Sequence, residues 1–100
     1  MEFAAFAERM KKLGFDEVIE RVWKPLATVE EHTHPFDANA LVVQGEMWLT
    51  VNGHTEHLLP GGTFELRARQ PHSERYGAEG ATYWVARRTL GSELGFPTVL

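Results

Sequence analysis

Residues 26–45 read LATVEEHTHPFDANALVVQG, and the spacing inside this stretch governs how the rest of the chain is understood. His32 and His34 are one residue apart within an extended run expected over 27–34, so the two-residue repeat of a strand sends both imidazoles out of one face. Two imidazoles so placed can reach one point above a sheet. Pro35 breaks the run, a second β-type run covers 39–44, and Gly45 is expected to open a hairpin into 46–52.

Working outward, short runs of β-type residues alternate with turn residues on both sides. Strands are expected at 16–23, 27–34, 39–44, 46–52, 55–59, 63–66, 72–76 and 81–88. Asn52-Gly53 suits a type I′ hairpin, Gly61-Gly62 follows Pro60, and Gly77 to Gly80 reads as a further reversal. A single open sheet of eight short strands would expose long edges, so an all-β jelly roll or small closed barrel is expected. Ahead of the strands Phe3, Phe6, Ala7, Met10 and Leu13 recur at helical spacing and Gly14 stands at a C-cap position, which predicts a helix over 2–13 packed across the outside of a sheet. The expected organisation is a helix at 1–14, a barrel at 15–90 and an extension at 91–100 that packs loosely or pairs with a second subunit.

Composition narrows the function classes. A chain of 100 residues has the length of one domain. Its formal charge of −4 disfavours a nucleic-acid partner, which calls for a basic face. With no cysteine, any metal must be held by His, Asp or Glu. Glu2, Glu8, Arg9, Lys11 and Lys12 interrupt the first segment, and no apolar run approaches the ~20 residues of a membrane span, so a cytoplasmic protein without a membrane partner is expected.

The histidine pair lies in a wider pattern: Pro35 after His34, Gly45, Pro60-Gly61, and Pro71-His72 at the start of a later strand. On these residues the chain resembles the cupin superfamily, over about residues 25–88. Its first motif, G-x5-H-x-H-x3,4-E-x6-G, is matched by 26–45 in both histidines and the final glycine, with Leu26 for the opening glycine and Ala38 for the acidic position. Its second, G-x5-P-x-G-x2-H-x3-N, is matched by 61–76, GGTFELRARQPHSERY, in the first glycine and His72, with Arg67, Arg69 and Tyr76 at the other motif positions.

The resemblance implies a cupin-type jelly-roll barrel with His32, His34 and His72 as ligands of one divalent transition metal ion, Fe, Mn, Ni or Zn. It also implies a departure, because Ala38 cannot donate an electron pair. Asp37 is adjacent, but a one-residue shift along a strand points its side chain to the opposite face. A three-His centre with open positions resembles the thiol and diketone dioxygenases of the superfamily, in which substrate chelates the metal.

Alternation from His72 puts Glu74 and Tyr76 on the same inward face, and Ala38, Ala40, Val42 and Gln44 toward the lumen from the strand opposite. Glu74 is a candidate general base or an acceptor that orients a ligating imidazole; the competing reading is a charge at the barrel mouth paired with Arg67, Arg69 or Arg75. Tyr76 is a candidate for steering substrate, or a barrel-filling aromatic. His54 and His57 are read as surface residues, and Trp23, Trp48 and Trp84 as core or interface residues.

Two functions are carried forward. One is a mononuclear metal enzyme, dioxygenase-like or a related lyase or isomerase, acting on a small polar or anionic chelating molecule. The other is a non-catalytic barrel that binds or senses a small ligand or metal; 100 residues leave no space for a helix-turn-helix unit beside the barrel, which weighs against a self-contained regulator. A homodimer is expected in either case, since a small barrel gains stability by covering a sheet face.

Overall fold

Two long antiparallel strands organise the fold. In the computed structural model, which describes residues 2–89, α1 (Phe3–Lys12) is followed by β1 (Glu17–Trp23), β2 (Thr28–His32), β3 (Phe36–Val51), β4 (His54–Leu58), β5 (Thr63–Leu66) and β6 (His72–Thr89). β3 and β6 pair along their whole length, from Phe36↔Thr89 to Val51↔His72. The first half of β3 carries β5 on its free edge and the second half carries β4; likewise β1 pairs with the second half of β6 and β2 with its first. The result is two four-stranded layers, β1-β6-β3-β5 and β2-β6-β3-β4, sharing their central strands: the jelly roll expected from the sequence.

The eight expected strands thus become six, because the breaks at Gly45 and at Gly77 to Gly80 are bends inside continuous strands. Gly45 opens no hairpin. It has φ +83 and faces Gly80, φ +73; a Cβ on Gly45 would lie 2.2 Å from the Gly80 carbonyl oxygen. The ladder shifts register between Val42 and Gln44 and again between Gly45 and Met47, so bulges turn each strand from one layer into the other. The same shift exposes Gln44, which simple alternation assigned to the lumen, while Ala38, Ala40 and Val42 are buried.

Between the layers lies an apolar core that includes Val42, Met47, Leu49, Phe64, Tyr83 and Val85. Outside them, α1 lays Phe6 and Met10 on Trp84 and Ala86, the opposite face of β6 from Val85. The Phe3 and Phe6 rings sit 5.5 and 5.7 Å from the Trp84 ring. Burial of Phe6 and Met10 contributes about 1.5–3 kcal/mol each. The helix ends at Lys12 in a Schellman arrangement, with Phe15 N–H donating to Met10 O and Gly14 N–H to Lys11 O. Asn52 and Gly53 both take positive φ, 53 and 77, as a type I′ hairpin requires.

No helix among the described residues is long and apolar enough to cross a membrane. The extension expected at 91–100 lies outside the described residues.

Candidate metal centre

His32 is the last residue of β2 and pairs across the ladder with His72, the first residue of β6. His34 lies two residues beyond, past the end of β2; the strand expected to reach 34 stops at 32. The three rings nevertheless converge, with centroids 4.2 Å apart for His32 and His72, 4.6 Å for His34 and His72, and 5.0 Å for His32 and His34. One ring nitrogen from each lies within 4.8 Å of the others. A transition metal bound at about 2.1 Å needs ligand atoms at most about 4.2 Å apart, so small ring rotations close the set around one ion.

Hydrogen bonds settle which nitrogens face inward. His32 Nδ1 lies 2.8 Å from Glu30 O and His72 Nδ1 2.9 Å from Gln70 O. A carbonyl can only accept, so both Nδ1 atoms carry a proton, and Nε2 is the nitrogen by which each ring can ligate a metal. His72 is 1% exposed, and its Nε2 has no hydrogen-bond partner. Leaving a buried acceptor unsatisfied costs about 1–3 kcal/mol, which an electrophile at this point would offset. His34 stacks on Phe36 with ring centroids 4.6 Å apart, and its pKa falls from 6.5 to about 4 through burial, then through His72, His32, Arg87 and Arg21. It is therefore a neutral imidazole at pH 7. Three imidazoles fit a divalent transition metal, the sixfold oxygen sets of calcium and magnesium being absent from this group.

Glu74 is 8% exposed and faces the same point: its Oε2 lies 3.6 Å from His72 Nε2 and 3.8 Å from His32 Nε2. Tyr76, 1% exposed, donates its hydroxyl to Glu74 Oε1 and stacks on Trp23 at 5.1 Å. Burial, Tyr83 and Glu74 push the Tyr76 phenol far above its ordinary range, which keeps it a donor. The alternative of Glu74 as a mouth charge paired with arginine does not hold, since its carboxylate turns inward while Arg75 packs over Trp48 at 4.1 Å on the outer face.

Asp37 does not fill the place of the missing carboxylate. Its oxygens accept from Ala68 N–H at 2.9 Å and Arg88 Nη2 at 3.2 Å, in a larger hollow bounded by Phe15, Glu65 and Arg67 that contains none of the three histidines. His54 and His57 are exposed; His57 stacks on Trp48 and bonds to Glu46. Trp84 is a packing residue, as expected, and Trp23 packs against the core while also lining the cavity beside the histidines. The wall of that cavity, of about 200 Å³, includes residues that sequence reasoning overlooked, among them Arg21, Phe36 and Arg87. The signal for Arg87 was its period-two relation to Val85 and Tyr83, usable only once the inward face of β6 is known.

No family model matches the chain. A 38-residue stretch is 50% identical to an uncharacterised HTH-type transcriptional regulator of Haemophilus influenzae, covering 38% of this chain and 13% of that protein. Among solved structures, the cupin domain of an XRE family transcriptional regulator from Enterobacter cloacae is similar over 78% of this chain and 84% of its own, with 20% identity and a TM-score of 0.63. DMSP lyases are similar over 71% of this chain, with 25% identity and a TM-score of 0.66, but this chain spans only 37% of theirs. Two shared-strand layers, a histidine cluster at one mouth and this structural kinship give the conclusion that the chain has the cupin fold.

Proposed function

We propose that the protein is a mononuclear metal enzyme acting on a small anionic molecule that chelates the metal, with His32, His34 and His72 as the protein ligands. The observation that carries this reading is that His32 and His72 each turn Nδ1 to a backbone carbonyl, which leaves both Nε2 atoms as the ligating positions beside a buried carboxylate. When bound there, Fe, Mn, Ni or Zn would supply a Lewis acid for a chelated oxygen.

The chain's own groups would handle the proton and the surroundings of the bound molecule. Glu74 Oε2 borders the open side of the cluster, where it can accept a proton from a bound molecule. Tyr76 holds Oε1 and so fixes the direction in which Oε2 points. Trp23, Phe36 and Phe64 wall the cavity with apolar surface, which lowers the local dielectric and strengthens each polar contact. A carboxylate base beside a Lewis acid suits a lyase or isomerase that removes a proton next to a carbonyl, and the similar DMSP lyases are lyases by name. It bears less directly on a dioxygenase, and oxygen uptake with thiols, diketones and keto acids separates the two.

Elemental analysis of protein purified without added metal or chelator tests the centre. About one equivalent of a transition metal, lost in His72→Ala, is expected; less than about a tenth of an equivalent, with no saturable uptake on addition, refutes it.

The likeness to the cupin domain of a transcriptional regulator, together with the short match to an HTH-type regulator, favours one second reading: a barrel that binds the same kind of ligand without turnover. Saturable, metal-dependent ligand binding with no product would establish it. Under either reading a homodimer is proposed, because Val22 and Leu26 are 71% and 72% exposed near the free edges of β1 and β2. Sedimentation over a range of concentrations measures it.

A further inference from the structure

Three consecutive residues of the loop between β5 and β6 each make one contact that bears on the histidine cluster. Ala68 N–H donates to Asp37 Oδ1 at 2.9 Å, Arg69 N–H donates to His34 O at 2.7 Å, and Gln70 O accepts from His72 Nδ1 at 2.9 Å. His34 lies past the end of β2, so the ladder that sets His32 opposite His72 does not reach it. The bond from Arg69 takes the ladder's place.

This loop does not hold its shape by itself. Positions 67 and 69, where the second motif calls for proline and glycine, carry arginine. Proline would fix φ and glycine would accept a positive one freely, whereas Arg69 takes φ +64 with a side chain attached. Such a conformation persists only where the surroundings enforce it. Gln70 Oε1 accepts from Arg67 N–H at 3.1 Å, but that bond is internal to the loop. The tie from Ala68 to the sheet is Asp37, whose second oxygen accepts from Arg88 Nη2 at 3.2 Å and whose backbone pairs with Arg88 in the β3–β6 ladder.

We propose that Asp37 is a positioning residue for the metal centre: it pins Ala68 to the sheet and so sets the loop that holds His34 O and His72 Nδ1. This rests on the metal-binding reading above and gives a role to a carboxylate that is not a ligand. A carboxylate that accepts a backbone N–H makes a charge-assisted bond with a defined direction. Two of the three histidines depend on this one loop, while His32 stays with β2, so loosening the loop moves His34 and His72 relative to His32.

Cobalt(II) serves as the probe ion, with its affinity and visible spectrum as readouts. Asp37→Ala is expected to bind cobalt roughly 10–100-fold more weakly than wild type, with an altered spectrum. Asp37→Asn, whose amide oxygen can still accept from Ala68 N–H, should recover most of that loss. Glu20→Ala removes the acceptor of Trp84 Nε1 on the helix-covered face of β6, and should lose stability while keeping wild-type cobalt affinity. In metal-free protein, amide hydrogen exchange at Arg69 is expected to be at least about tenfold faster in Asp37→Ala than in wild type. Should Asp37→Ala fail to fold, Gln70→Ala loosens the same loop at an exposed bond and is expected to weaken cobalt severalfold. Wild-type cobalt affinity in the loop variants overturns this inference alone, as does equal weakening in Glu20→Ala or unchanged exchange at Arg69. No cobalt uptake by the wild type overturns the metal reading and this inference with it.

Discussion

Tyr76 donates its hydroxyl to Glu74 Oε1 inside the barrel, two residues along the same face of β6, leaving Glu74 Oε2 turned toward His32 and His72. The carboxylate is 8% exposed, so the phenol supplies a contact that water supplies poorly there. Tyr76→Phe keeps the ring on Trp23 and removes only that donor, leaving Oε1 unsatisfied. A loss of roughly 1–3 kcal/mol in urea unfolding is expected. An unchanged midpoint would mean that the hydroxyl holds nothing in place.

Chelation should weaken the protein because the ion binds the folded histidine cluster and not the unfolded chain. At a free metal concentration 100 times Kd the stabilisation is about 2.7 kcal/mol, or roughly 10–20 °C in Tm for a chain of this size. EDTA is expected to lower Tm by that order in wild type and to leave His72→Ala unmoved. His57→Ala, altered on the exposed Trp48 face, should respond as wild type does. Equal shifts in wild type and His72→Ala would place the bound metal elsewhere.

Gly45 is held by sterics at the bend shared by the two long strands. Its φ of +83 already disfavours an L side chain, and the added methyl of Gly45→Ala would lie 2.2 Å from the Gly80 backbone oxygen. Backbone on backbone cannot give way as a flexible side chain can. Loss of soluble folded protein, or a drop of at least about 3 kcal/mol, is expected on expression and urea unfolding. Gly53→Ala meets no atom within 4 Å and strains only its own φ, so its cost should be about 1 kcal/mol.

Features governed by neighbours in sequence were legible in the chain alone. The period of Phe3, Phe6 and Met10 places α1, and Asn52-Gly53 places its hairpin, while the rings of His32 and His34 converge although the strand ends at His32. What was hidden depends on register between distant residues. Gly45 looks like a turn residue until Gly80 is set against it, when it becomes the inside of a bend. Gln44 leaves the lumen because a bulge, invisible to a two-residue count, intervenes after Val42. Arg87 lines the cavity on the inward face of β6, where it pairs with Ala38, 49 positions away in the numbering (87 − 38). The cupin motifs supplied His72, which its own surroundings in the sequence would not have joined to the pair.

Acid should unfold the metal-free protein partly through His34. Burial, then His72, His32, Arg87 and Arg21, lowers its pKa in the fold from 6.5 to about 4. Between those values the unfolded chain binds a proton at this imidazole and the folded chain does not, so stability rises with pH across the window. The contribution is therefore fully present above about pH 6.5 and is lost progressively as the pH falls toward 4, below which this group adds no further dependence. Urea midpoints of chelated protein should fall as the pH is lowered from about 7 to about 4.5, and His34→Gln, which cannot take up the proton, should fall less steeply. All other titratable groups are common to the two proteins, so the difference between the slopes isolates His34. Parallel slopes for the two proteins would show that His34 protonates as readily in the fold as out of it, and that burial there does not oppose its charge.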